Sequence, residues 1–149
     1  MKRILARNEY CIGCHLCEVY CAAAHSPYPH DLIKVFKGNT PPPSPRVRVE
    51  EAGAVSFALQ CRHCADPHCT KACITGAMYR DPATGAVMSN PERCVGCWTC
   101  ILVCPYGAVF RDATGRKVIS KCDFCLSLGE PACVQHCPNR ALIITEGGA

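Results

Sequence analysis

No part of this sequence is built to cross a bilayer: no run approaches the roughly 20 consecutive apolar residues that a spanning helix needs. It has neither a G-x-G-x-x-G fingerprint nor a P-loop, so flavin, nicotinamide and nucleotide sites are expected on other chains, and this chain is not expected to be an enzyme by itself. Aromatic residues make up only 7%, with one tryptophan. The 49% hydrophobic share overstates the core, because 16 of those residues are cysteines. Without them roughly 57 apolar residues remain in a chain of 149, a thin supply for a self-sufficient interior. Small scaffolds so placed depend on metals or disulfides. Residues 1–9 hold no apolar h-region, so disulfides formed after export are disfavoured and a soluble, cytoplasmic protein is expected.

Cysteine is what the chain has in excess, and all of it is patterned. Cys94, Cys97 and Cys100 are separated by two residues each, and Cys104 follows with Pro105 behind it. The same shape recurs as Cys11, Cys14, Cys17 and Cys21, as Cys61, Cys64, Cys69 and Cys73, and as Cys122, Cys125, Cys133 and Cys137 before Pro138. The sixteen divide into four groups of four with none left over. Zinc is a poor fit, because structural zinc sites pair one Cys-x-x-Cys with a distant second, whereas the first and third groups each pack three thiols into seven residues. The spacing is that of the bacterial ferredoxin run. Three thiols on a compact loop grip three irons of one 4Fe-4S cubane, and the fourth faces a neighbouring cluster.

Sixteen thiols therefore predict four 4Fe-4S clusters, with the clusters as the core and the metal-free chain largely unfolded. The formal charge of +4 does not survive loading. Each cubane with four thiolates carries about −2, which leaves about −4 overall and removes the case for nucleic-acid binding. Gly13 and Gly96 allow close backbone approach to a cluster. Arg62, Lys71, Arg93, Lys121 and Arg140 lie near cysteines and could raise particular potentials, although solvated surface charge is the commoner role for such residues. His15, His63, His68 and His136 also neighbour cysteines, and packing or ordinary hydrogen bonding is expected of them. Trp98, between Cys97 and Cys100, suits a cluster shield.

Strands are expected over residues 2–8, 46–50, 55–60, 77–79, 86–88, 108–110, 117–120 and 141–145, and a helix over 15–24. Residues 31–37 alternate weakly, and Pro41, Pro42, Pro43 and Pro45 bar any helix or central strand there. The cysteine-free segment 25–54 is an insertion, either a strap over a cluster or a contact surface for a partner. Internal repeats are visible. Cys73, Cys104 and Cys137 are each followed four residues later by an alanine and then an apolar residue, and Glu9 precedes Cys11 as Glu92 precedes Cys94. Two ferredoxin-like units built by duplication are the reading.

The four groups and their order resemble the four-cluster iron–sulfur subunits of anaerobic oxidoreductases, over essentially the whole chain. Members serve carbon monoxide dehydrogenase, formate and hydrogen metabolism, molybdenum reductases and tungsten aldehyde oxidoreductases. The residues alone leave both nested and adjacent pairing of the groups open. The resemblance implies the nested scheme. One cluster then takes Cys11, Cys14, Cys17 and Cys137, and its neighbour takes Cys122, Cys125, Cys133 and Cys21. The inner pair takes Cys61, Cys64, Cys69 with Cys104, and Cys94, Cys97, Cys100 with Cys73. Ala22 and Ile74 stand where the proline follows Cys104 and Cys137, a change in turn geometry that removes no ligand. The implied fold is α+β, with two tandem, nested bacterial-ferredoxin-like units of short strands and short helices around four clusters. The outer unit would be 1–24 plus 113–149, the insertion 25–54 and the inner unit 55–112. The implied function is relay of low-potential electrons in a hetero-oligomer, between a catalytic oxidoreductase subunit and a second partner such as a flavin NAD(P)H oxidoreductase. A free, diffusing polyferredoxin is the alternative, and the insertion favours the first.

Overall fold

The computed structural model describes residues 2–37 and 43–146, so Pro41 and Pro42 lie outside the described residues. The fold is a set of four separate two-stranded antiparallel ribbons joined by loops and short helices. Strand β1 (Lys2–Ala6) pairs with β8 (Leu142–Glu146), with Ile4 opposite Ile144. Ile4 and Leu142 turn their side chains inward. Strands β4 (Met78–Arg80) and β5 (Val87–Ser89) form the hairpin expected from the turn at 81–85. Strands β6 (Phe110–Arg111) and β7 (Ile119–Ser120) form a shorter one. Among the described residues, no helix is long and apolar enough to cross a membrane.

Helix α1 (Leu16–Ala24) buries Cys17, Cys21, Ala22 and Ala23. Helices α3 (His68–Lys71), α4 (Thr99–Leu102) and α5 (Ala132–Gln135) are single turns, each holding one buried cysteine: Cys69, Cys100 and Cys133. In every group the third and fourth cysteines are four residues apart. At 1.5 Å rise per residue, four residues advance about 6 Å along one helix face. The turn thus presents two thiols to two adjacent places.

One element differs in kind from the expectation. Residues 31–37, expected as weakly alternating chain, form helix α2 (Leu32–Lys37) with Val35 buried. Asp31 accounts for it: its carboxylate accepts the Lys34 backbone N–H at 3.1 Å, the capping bond that lets the 32/35/36 apolar spacing prevail over alternation. Strand β2 (Val47–Ala52) pairs with β3 (Val55–Gln60) in a hairpin turning at Gly53, near the strands expected over 46–50 and 55–60. Strand β3 packs against the outer strands. Gln60 Nε2 donates to Ile4 O at 3.2 Å, and Ala58 shares a core with Ile4 and Leu142.

The interior is in two pieces, and sulfur fills much of both. One holds Ile4, Val47, Phe124 and Leu142 with Cys17, Cys21, Cys61, Cys122 and Cys133. The other holds Met78, Val87, Val109 and Ile119 with Cys69 and Cys100.

Candidate functional site

Each cysteine run begins in a loop whose backbone turns left-handed. The residue before the second cysteine has positive φ in all four groups: Gly13 at 66°, His63 at 46°, Gly96 at 68° and Phe124 at 63°. This tight curl brings successive thiols onto one side. Gly96 is needed on two counts, since a Cβ there would sit 2.6 Å from the Lys117 carbonyl oxygen.

The thiols meet in four places. Cys11, Cys14, Cys17 and Cys137 line one cleft. Cys61, Cys64, Cys69 and Cys104 line a second. The Cys100 thiol is pushed up to about 11, first by burial and then by the charges of Cys73, Cys94 and Cys97 around it. Burial and the neighbouring Cys122, Cys21 and Cys125 push Cys133 up much further. All sixteen are free thiols.

The sets also lie close enough to act on one another electrostatically. Cys100 is among the neighbours that raise Cys69, Cys61 among those that raise Cys122, and Cys17 among those that raise Cys133. Cys14 and Cys97 are exposed, whereas Cys21, Cys122, Cys125 and Cys133 are all buried.

This donor chemistry fits iron–sulfur clusters. Burial drives Cys17 and Cys122 to about 12 and Cys69 to about 11, so a thiolate in these places needs a cation beside it. Iron would supply it. Backbone N–H groups already aim at sulfur: Arg46 to Cys21 at 3.3 Å, His63 to Cys61 at 3.4 Å, Met78 to Cys73 at 3.4 Å, Phe124 to Cys122 at 3.5 Å and Ala141 to Cys137 at 3.2 Å. Such bonds stabilise thiolate ligands and set cluster potential. Thr99 Oγ1 adds one to Cys97 at 3.5 Å, which lowers that thiol's pKa.

The flanking residues divide. Arg62 stacks on Tyr106 at 4.2 Å, Lys71 pairs with Asp66 at 2.5 Å and Arg93 donates to Thr75 O at 2.8 Å, all on the surface with Arg140. His15 bonds Glu18 at 2.8 Å, and His136 stacks on Tyr20 with ring centroids 3.5 Å apart. Trp98 packs beside the second core under Arg111. Lys121 is the exception: it is 2% exposed, and the surface role fails there.

Sequence reasoning missed a polar tie between the insertion and the deepest thiol set. His25 Nδ1 lies 2.7 Å from Cys21 O, and its Nε2 lies 3.0 Å from Asp123 Oδ1. Arg46 from the insertion bonds the other Asp123 oxygen. Burial alone would lower His25, yet its bonds to Asp123 and Cys21 hold it at about 9. The packing of the His63 and Phe124 rings, centroids 4.5 Å apart, was also missed, and there one signal was available. His63 and Phe124 occupy the position that is glycine in the first and third groups.

A chain with four sets of converging thiols on ferredoxin-type loops is a ferredoxin-type iron–sulfur electron-transfer protein. Comparison with known proteins gives the family. A family model described as "4Fe-4S dicluster domain" matches residues 53–146, and the chain belongs to that family. The match takes in twelve of the cysteines and leaves Cys11, Cys14, Cys17 and Cys21 ahead of it. A protein named "Iron-sulfur protein" from Rhodospirillum rubrum is 38% identical, covering 93% of this chain and 79% of the relative. "Electron transport protein HydN" of Escherichia coli K12 is 36% identical over 96% of this chain and 87% of its own. Among solved structures, a chain of "Active site complex BamBC of Benzoyl Coenzyme A reductase in complex with Zinc" shares the fold. It has a TM-score of 0.54 and 24% identity, over 100% of this chain and 80% of that one.

Proposed function

We propose that the protein carries four 4Fe-4S clusters and relays low-potential electrons as the non-catalytic iron–sulfur subunit of an oxidoreductase. The observation that carries this reading is the gathering of sixteen free thiols into four sets of four. The clusters are held by Cys11, Cys14, Cys17 and Cys137, by Cys21, Cys122, Cys125 and Cys133, by Cys61, Cys64, Cys69 and Cys104, and by Cys73, Cys94, Cys97 and Cys100. The charges felt between sets support a linear order. The Cys97 set comes first, then the Cys69 set, the Cys122 set and last the Cys14 set. The outer unit, 1–24 plus 113–149, holds the last two, and the inner unit within 55–112 holds the first two. The β2–β3 hairpin clasps the outer unit.

The chain's contribution is ligation, orientation and exclusion of water. The ends of the row are where its thiols reach the surface, at Cys97 and Cys14. Exposed apolar residues surround both: Ile74, Val95 and Leu102 at one end, and Tyr10, Ile12 and Leu16 at the other. Such patches suit docking. The Cys97 end and the Cys14 end thus serve two partners in a hetero-oligomer. One is a catalytic subunit of the tungsten aldehyde oxidoreductase or carbon monoxide dehydrogenase kind, and the other a flavin NAD(P)H-linked subunit, in the cytoplasm. A freely diffusing polyferredoxin is the second reading, which the apolar ends disfavour.

Anaerobic purification from native extract tests this. About sixteen iron and sixteen sulfide per chain, co-migrating with a larger redox protein, is the expected result. About eight of each would refute four clusters, and a lone small species would select the diffusing carrier.

A further inference from the structure

At the junction of the two middle thiol sets lies a polar cluster that ligation does not use. Lys121, 2% exposed, sits beside Cys122 and donates from Nζ to Cys122 O at 2.6 Å and to Val87 O. Among the described residues it forms no ion pair. His63, fully buried, sits between Cys61 and Cys64 with its ring 4.5 Å from Phe124. The Val87 N–H donates to His63 Nδ1 at 3.1 Å, so one residue holds both side chains, His63 by its N–H and Lys121 by its C=O.

That bond has a chemical consequence. Nδ1 is an acceptor, so the neutral ring carries its proton on Nε2. Nε2 is buried and has no partner among the described residues. A buried ammonium without a carboxylate and a buried N–H without an acceptor are both costly. Both are suited by the same missing neighbours, namely anionic sulfur-rich clusters. Lys121 lies against both sides: one of its acceptors is Cys122 O, and the other belongs to Val87, which lines the cleft of Cys61, Cys64, Cys69 and Cys104.

We infer that Lys121 and His63 are positioning residues that raise the reduction potentials of the two middle clusters relative to the two terminal ones. The lysine supplies a fixed positive charge shared by both, and the histidine supplies an N–H for sulfur. This deepens the four-cluster reading and rests on it. An electron gained by either middle cluster adds negative charge beside the ammonium, which stabilises the reduced form. Among the described residues the terminal sets have no buried lysine or arginine of this kind: Arg93, Arg140 and Lys71 near them in sequence are solvent-exposed.

The test is an anaerobic redox titration of the holoprotein followed by electron paramagnetic resonance, with iron counted in each sample. Wild type comes first: four titrating centres uphold the cluster reading, and fewer would overturn that reading and this one with it. In Lys121→Met two centres become at least tenfold less reduced at a fixed poise, about 59 mV for a one-electron couple, while the other two stay. Lys121→Arg, which keeps the charge, restores them. His63→Phe, the residue that the fourth group carries in the equivalent place, shifts the potential in the same direction in at least one of those two centres. Unchanged midpoints at full iron content, or an equal shift of all four, would overturn the proposal. If Lys121→Met loses iron, Lys121→Arg and His63→Phe decide. Wild-type midpoints in the first together with a lowered middle midpoint in the second support it, and any other pair of results refutes it.

Discussion

Three glycines with nearly the same backbone allow the loop geometry to be tested quantitatively. Gly13, Gly96 and Gly107 have φ of 66°, 68° and 62°. Alanine at any of them incurs the left-handed penalty of about 1–2 kcal/mol. What differs is the space for a Cβ. At Gly107 nothing lies within 4 Å. At Gly13 the obstacle is the Glu51 Oε1 atom at 2.6 Å, the end of an exposed side chain that can swing aside at the loss of its 3.5 Å contact with His15. At Gly96 the obstacle is the Lys117 carbonyl oxygen at 2.6 Å, with Lys117 Cβ at 3.2 Å, and backbone cannot swing. Relieving it separates the Cys94–Cys97 loop from the segment leading into β7, at about 1–3 kcal/mol for overpacking. Gly96→Ala is therefore expected to cost about 2–5 kcal/mol in all, and Gly107→Ala and Gly13→Ala about 1–2 each. Because cluster loss is irreversible, the comparison is the midpoint of visible bleaching at one scan rate under anaerobic conditions, with iron per chain measured beforehand. Gly96→Ala should bleach lowest and lose iron, with the other two close together and fully loaded. Gly96→Ala matching Gly107→Ala in both measurements would refute the steric argument.

Further outcomes follow from the burial of the ligands and the exposure of the ends. Cys14→Ser, at an exposed ligand, should lower iron from about sixteen to about twelve per chain with the fold kept, whereas Cys133→Ser, at a buried one, should yield little soluble protein; equal behaviour would argue against the buried set as a core. Chelation of iron under reducing conditions should abolish the far-ultraviolet dichroism in step with the visible colour, and a folded colourless chain would refute clusters as the core. Leu102→Glu, in the most exposed of the large apolar side chains, should leave iron and potentials unchanged and slow electron delivery to one partner while sparing the other; equal slowing of both would deny that the two ends are separate docking faces.

The thiol groups were legible in the sequence because spacing encodes them directly: a loop that must curl three sulfurs inward leaves little freedom in where they stand. The hairpins followed from turn chemistry at 81–85 and 112–115 for similar local reasons. Helix α2 was not legible from alternation, since a single capping bond from Asp31 decided between two weak patterns. The burial of Lys121 was hidden for a different reason. Its partners are carbonyls, those of Val87 and of the adjacent Cys122, and carbonyls carry no sequence signature. The same holds for His25 and Arg46, which meet at Asp123 across 98 and 77 residues. Composition favours exposed charge at each of these positions, and only the folded chain shows which are drawn inward.

The contrast between glycine and aromatic residues at the curled position bears on how the loops of the second and fourth cysteine groups are held together. In the first and third groups, whose sets lie at the ends of the row, glycine takes the left-handed turn without strain at Gly13 and Gly96. In the second and fourth groups His63 and Phe124 accept that strain, about 1–2 kcal/mol apiece. Both are buried, and their rings pack against each other with centroids 4.5 Å apart and planes tilted by 47°. Burying a phenylalanine returns about 1.5–3 kcal/mol, enough to offset the backbone cost where a partner ring exists and not where the loop faces solvent. Phe124→Gly isolates this balance. It should recover about 1–2 kcal/mol of strain and lose about 3–5 kcal/mol of packing, a net loss of about 1–4 kcal/mol, seen as a lower bleaching midpoint and looser protection of the Cys122 loop in hydrogen exchange. A midpoint raised by the substitution would mean that the rings do not hold the two loops together, and that the glycine-to-aromatic change has no packing cause.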